Sequence, residues 1–152
     1  MKHILYPTDF SELSRCALTY AVYLAQRCEA ALHCIHVVDD RYQYWLTFDL
    51  ATVPAGPPIE DLAAAAGKQL AKFLDGHVPD DVGVETKILR GSPFVEIIGY
   101  ARSAQIDLIV IGTHGWGALR QVLMGSVADK VVHKSPCPVL TVRHSDHPFE
   151  MP

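Results

Sequence analysis

Short apolar runs alternate with amphipathic stretches along the whole chain, and that alternation leaves few folds open. "HILYP" (3–7), "ALHCIHVVD" (31–39), "VGVETKILR" (82–90), "DLIVIG" (107–112) and "CPVLTVRH" (137–144) read as strands. Between them, 11–30 carries apolar residues at Leu13, Ala17, Tyr20, Ala21, Leu24 and Cys28, the spacing of one helical face. The alanine-rich 59–77 reads as a second helix closing near Gly76. A third starts with Ser92 as N-cap and Pro93 at the first helical position. A fourth covers 126–135, with Ser126 suited to its N-cap. Only 40–58 lacks a period and reads as an excursion loop. Strands separated by helices pair in parallel through right-handed crossovers. The expected fold is one doubly wound α/β domain, with its ligand at the carboxyl ends of the strands.

The chain has 152 residues, enough for one domain that buries roughly 68–70% of its unfolded surface. No linker, repeat or low-complexity tract divides it. The domain is expected over 1–144, with 145–152 as a frayed tail. A net charge of −4 without a block of like charges argues against nucleic acid or an anionic membrane as partner. Cys16, Cys28, Cys34 and Cys137 form no C-x-x-C pair and read as small buried hydrophobes in a reducing compartment. Pro7 and Asp9 interrupt the first apolar run too early for a signal peptide. No apolar run approaches the roughly 18 residues of a membrane span. A cytoplasmic location fits these features.

The segment "GTHGWGALRQVLMGS" (112–126) directly follows the apolar fourth strand. Gly112, Gly115 and Gly117 carry no side chain to block approach to the backbone. Gly125 and Ser126 then open a helix, whose N-terminus offers unpaired amides and partial positive charge to an anion. "YPTDFS" lies at the carboxyl end of the first strand and faces this segment if the first and fourth strands are neighbours. Neither the Walker pattern nor G-x-G-x-x-G is present. On spacing alone, a phosphate clamp and plain turn glycines stand level.

Gly112-x-x-Gly115, nine residues, then Gly125-Ser126 resembles the G-2x-G-9x-G-[ST] motif of the ATP-binding universal stress proteins. "ILYPTDFS", "HVVD", "DLIVIGTHG", "GSVADKVV" and "CPVLTVR" extend the likeness over nearly the whole chain. The resemblance implies a flavodoxin-like, Rossmann-type parallel sheet of five strands in the order 3-2-1-4-5. It implies an adenosine pocket lined by Pro7, Thr8 and Asp9, with the Asp9 carboxylate accepting from ribose hydroxyls. Val37 would pair through its backbone with the adenine edge. Gly112, Gly115, Gly125 and Ser126 would hold phosphates, flanked by His114 and Val127. It further implies ATP or AMP as ligand and a homodimer through the last strand, about Val139 to Val142.

Local alternatives accompany these roles. Asp9, followed three residues later by Glu12, also has the look of a helix cap. Arg120 could fork a terminal phosphate or lie on a solvated face. Trp116 could shield the ligand or pack on a neighbour. Tyr42, Tyr44, Trp45 and Phe48 are assigned to packing, and Asp39, Asp40 and Arg41 to a solvated turn. His33 and His36, three apart on a strand, point to opposite faces and make no metal site. Magnesium would come only with the nucleotide phosphates. The functional expectation is an adenine-nucleotide-binding regulator of the stress response. A slow ATP hydrolase and a nucleotide-free interaction module are the alternatives. The absence of a Walker-type lysine weighs against the hydrolase.

Overall fold

A computed structural model describes residues 1–39, 57–113 and 125–143. Five strands are present: β1 (His3–Pro7), β2 (Ala31–Val38), β3 (Val84–Arg90), β4 (Leu108–Gly112) and β5 (Val139–Val142). Four helices connect them: α1 (Glu12–Cys28), α2 (Ile59–Leu74), α3 (Pro93–Ser103) and α4 (Ser126–Lys134). The strands form one parallel sheet in the order β3-β2-β1-β4-β5, as the resemblance implied. The chain moves outward from β1 to β3, then returns to β4 on the other side of β1. That reversal opens a crevice at the carboxyl ends of β1 and β4.

Alternation along the strands feeds two cores. Ile4 and Tyr6 of β1, Leu32 and Cys34 of β2 and Val110 of β4 face α1 and α2, where Leu18, Ala21, Leu70 and Phe73 cover them. Leu5, Ile35, Ile109 and Ile111 face the other way, onto Ile97, Ala101 and Val131 of α3 and α4. Strands buried on both faces read as continuous apolar runs, and β1 and β4 do so. The edge strand β3 does not bury the face expected from the alternation of Val82, Val84, Thr86 and Ile88 in its sequence. Val82 is buried but lies before the strand, and Val84 within it is 38% exposed. An edge strand has a partner on one side only, so its side chains are less covered.

The stripe on α1 differs from the one expected. Its buried residues are Ser14, Ala17, Leu18, Ala21, Val22 and Ala25. Tyr20, Leu24 and Cys28 sit at the margin of that core. Ala17 and Ala21 are common to the expected and observed stripes, but the helix is turned so that Ser14, Leu18, Val22 and Ala25 join them, and its small residues let it lie close to the sheet. The closeness is measurable at Gly112. A Cβ there would stand 3.0 Å from the Leu13 carbonyl oxygen and 3.3 Å from the Ser14 amide nitrogen. Gly112 therefore lets the first turn of α1 rest on β4.

Three local features refine the expected caps. Ser11, not Asp9, is the N-cap of α1, its side chain accepting from the Ser14 amide at 3.2 Å. Ser92 and Pro93 hold the expected places at the start of α3. Gly125, not Ser126, is the cap residue of α4, and Ser126 is its first helical residue. No described helix is long and apolar enough to cross a membrane. The tail from 145 onward lies outside the described residues.

Candidate functional site

A cleft of about 580 Å³ opens at the carboxyl ends of the strands, within the usual range for small-molecule sites. Pro7, Thr8 and Asp9 from the end of β1 form one wall. Val37 and Gly112 contribute from β2 and β4, and Gly125, Ser126 and Val127 from the start of α4. These are eight of the ten residues singled out in the sequence. The other two, His114 and Gly115, lie outside the described residues, as do Trp116, Arg120 and the aromatic group at 42–48.

The Thr8–Ser11 loop is fixed by many hydrogen bonds. The Thr8 amide donates to the Ile35 carbonyl at 2.9 Å, carrying the β1–β2 ladder past Pro7. Thr8 Oγ1 accepts from the Phe10 amide at 3.0 Å and lies 2.6 Å from Ser14 Oγ. The buried Tyr6 hydroxyl donates to the Ser14 carbonyl at 2.7 Å and lies 2.8 Å from Ser14 Oγ. Burial pushes the Tyr6 hydroxyl well above its ordinary pKa, so it stays a donor. Asp9 Oδ1 accepts from the Ser11 amide at 3.0 Å. The carboxylate thus closes an Asx turn ahead of the cap instead of capping the helix itself.

At the opposite wall, the Gly125 amide donates to the Thr113 carbonyl at 2.6 Å, so it is already committed. The Asp129 amide bonds the Gly125 carbonyl and begins the helical ladder. The amides of Ser126, Val127 and Ala128 come before any intrahelical acceptor, as at every helix start. Their residues line the cleft at the end of α4 that carries the positive end of its dipole. These three amides are the ones at this helix start that have the chemistry to meet an anion, since the Gly125 amide is taken by Thr113.

The cleft also contains residues that the sequence reading passed over. Ile35, Ile97, Ile111 and Pro93 supply an apolar floor that suits a flat ring. Asp39 lines the cleft, which corrects its assignment to a solvated turn. Its place in "HVVD", directly after a strand, was the available signal. His36 is there too, and its Nδ1 donates to the Thr8 carbonyl at 2.8 Å. Burial lowers the His36 pKa, opposed by the Thr8 carbonyl and by Asp9. His33 points to the other face, its Nδ1 2.9 Å from the Tyr100 hydroxyl and its Nε2 3.1 Å from His3 Nδ1. Among the described residues no group of three or more His, Cys, Asp or Glu could hold a metal ion. All four cysteines are free, and Cys34 is buried with its thiol pushed up to about 12.

With this geometry in place, comparison with known proteins is direct. The sequence model of the universal stress protein family matches residues 1–143. The chain belongs to the universal stress protein family. Universal stress protein MJ0531 of Methanocaldococcus jannaschii is 33% identical, over 93% of this chain and 82% of its own. The solved structure of MJ0577, from the same organism, superposes with a TM-score of 0.81 at 29% identity, covering 96% of this chain and 98% of that one. Universal stress protein UspA from Lactobacillus plantarum gives 0.76 at 33% identity, covering 93% and 97%. Two more distant structures share the universal stress protein fold. One is a universal stress protein in complex with cAMP, at 22% identity and a TM-score of 0.61. The other is from Archaeoglobus fulgidus in complex with dAMP, at 18% and 0.62.

Proposed function

We propose that this universal stress protein binds an adenine nucleotide, ATP or AMP, in the cleft between the β1 loop and α4. The observation that carries the reading is the convergence of three kinds of group on one cavity. Asp9 and Thr8 suit ribose hydroxyls, the apolar floor suits a base, and the first amides of α4 suit phosphate. The cAMP and dAMP complexes of proteins sharing the fold point to the same ligand class. His114, Gly115 and Ser126 complete the phosphate side in this reading, and Gly125, its amide bonded to Thr113, contributes a backbone without a side chain. Magnesium, if present, arrives on the phosphates.

The reading extends to a cytoplasmic homodimeric regulator. β5 is an edge strand with Leu140 36% exposed, and strand pairing with a second copy would cover it. Nucleotide binding would then bias the surface that the dimer offers to partners.

Calorimetric titration with ATP and with AMP tests the binding. Nucleotide at a hundredfold its Kd adds about 2.7 kcal/mol of stability. At this chain length that raises Tm by about 5–10 °C. Neither heat nor a thermal shift with either nucleotide would refute the proposal.

A further inference from the structure

Behind the Asp9 loop, on the face of the sheet turned to α1 and α2, stands His36. Two contacts tie it to the loop. Because the Thr8 carbonyl can only accept, the proton sits on His36 Nδ1 and is donated at 2.8 Å. The ring also stacks on Phe10, centroids 4.3 Å apart and planes inclined by 26°. Phe10 is held at φ +64°, a left-handed conformation that a bulky residue adopts only under restraint. Its other supports are the edge of Phe73 at 5.6 Å and the bond from its amide to Thr8 Oγ1. Asp9, which lines the cleft, lies between Thr8 and Phe10. Both ends of the peptide that presents it are therefore gripped by one imidazole.

We infer that His36 is a positioning residue of the nucleotide site: by gripping the Thr8 carbonyl and bracing Phe10 it sets the Asp9 carboxylate to recognise the ribose hydroxyls. This rests on the nucleotide reading above and extends it from the residues touching the ligand to the one that aims them. The two grips are chemically separable. His36→Asn keeps an N–H donor near the Nδ1 position and loses the ring. His36→Phe keeps a ring for Phe10 and loses the donor.

Two measurements on the full chain test the inference. The first is the ratio of affinities for AMP and for 2′- and 3′-deoxy AMP in wild type and both variants. A hydrogen bond from a ribose hydroxyl to a correctly placed carboxylate predicts about tenfold or greater preference for AMP in the wild type. Both variants are expected to lose most of that preference. The second is amide hydrogen exchange in the protein without nucleotide. Phe10 and Ser11 amides should exchange at least tenfold faster in His36→Phe, with Ile35 and Val110 amides unchanged.

Variants that keep both the wild-type preference and the wild-type exchange at Phe10 and Ser11 would overturn the inference. So would acceleration shared equally by Ile35 and Val110, which would make His36 a residue of general packing. A wild type that binds no nucleotide removes the ribose part together with the reading beneath it. The exchange pattern then still decides whether His36 grips the loop.

Discussion

Gly112 offers the sharpest separation between a residue spared a side chain for the ligand and one spared it for the fold. It lines the cleft, yet a Cβ at its Cα would meet the backbone of α1 at 3.0 Å (Leu13 O) and 3.2 Å (Leu13 C). Those are main-chain atoms in the first turn of a packed helix, so relief requires α1 to move. Its φ is not in the left-handed region, so alanine meets no backbone penalty there. Overpacking of this kind costs about 1–3 kcal/mol. The lower entropy of the unfolded alanine chain offsets about 0.4–1 kcal/mol of it. The net loss for Gly112→Ala is about 1–2 kcal/mol, equivalent to a Tm lower by about 2–8 °C at this chain length. Thermal and urea denaturation without nucleotide provide the assay. A variant as stable as wild type that has nonetheless lost nucleotide binding would refute the reasoning, because the glycine would then serve the ligand's approach.

Tyr6→Phe should lower stability by about 0.5–1.5 kcal/mol in urea denaturation, since the buried Ser14 carbonyl and hydroxyl each lose one hydrogen bond while the hydroxyl keeps Thr8 Oγ1. The matching Ser14→Ala change should be partly non-additive with it, and full additivity would show that the hydroxyl chain does not couple them. Acidification should destabilise the protein from near pH 6.5 downward. Burial lowers the pKa of His33 below 6.5, so the unfolded chain binds the proton more readily and stability falls as the pH drops. His33→Phe should flatten the Tm-against-pH curve between pH 7 and 5, and an unchanged slope would exclude His33 as its source.

Much of the fold could be read from the chain because β1 and β4 are apolar on both faces and each strand is separated from the next by a helical stretch. The strand order came only through family resemblance, since alternation fixes parallel pairing but not which strands are neighbours. Residues that look unremarkable by composition were harder. Ser14 and Ala25 are buried on α1 beside the expected Ala17 and Ala21, but a serine and an alanine give a weak hydrophobic signal beside Tyr20 and Leu24. Ser126 has the right chemistry for a cap, yet the chain turns into α4 at Gly125, whose amide is bound to Thr113. The candidate site was legible where a motif marked it, at Thr8, Asp9, Gly125 and Ser126. His36 was not, because its link to the loop runs through a main-chain carbonyl that no sequence pattern displays.

The Gly125–Thr113 contact also bears on how this family can vary. It fastens the exit of β4 to the entrance of α4, so the two elements keep their spacing independently of the eleven residues numbered between them. Lengthening a connection whose ends are already fastened is inexpensive: doubling it adds only about 0.6 kcal/mol of closure entropy. Substitutions and insertions between these two anchor points can therefore be tolerated while the start of α4 keeps its place beside β4.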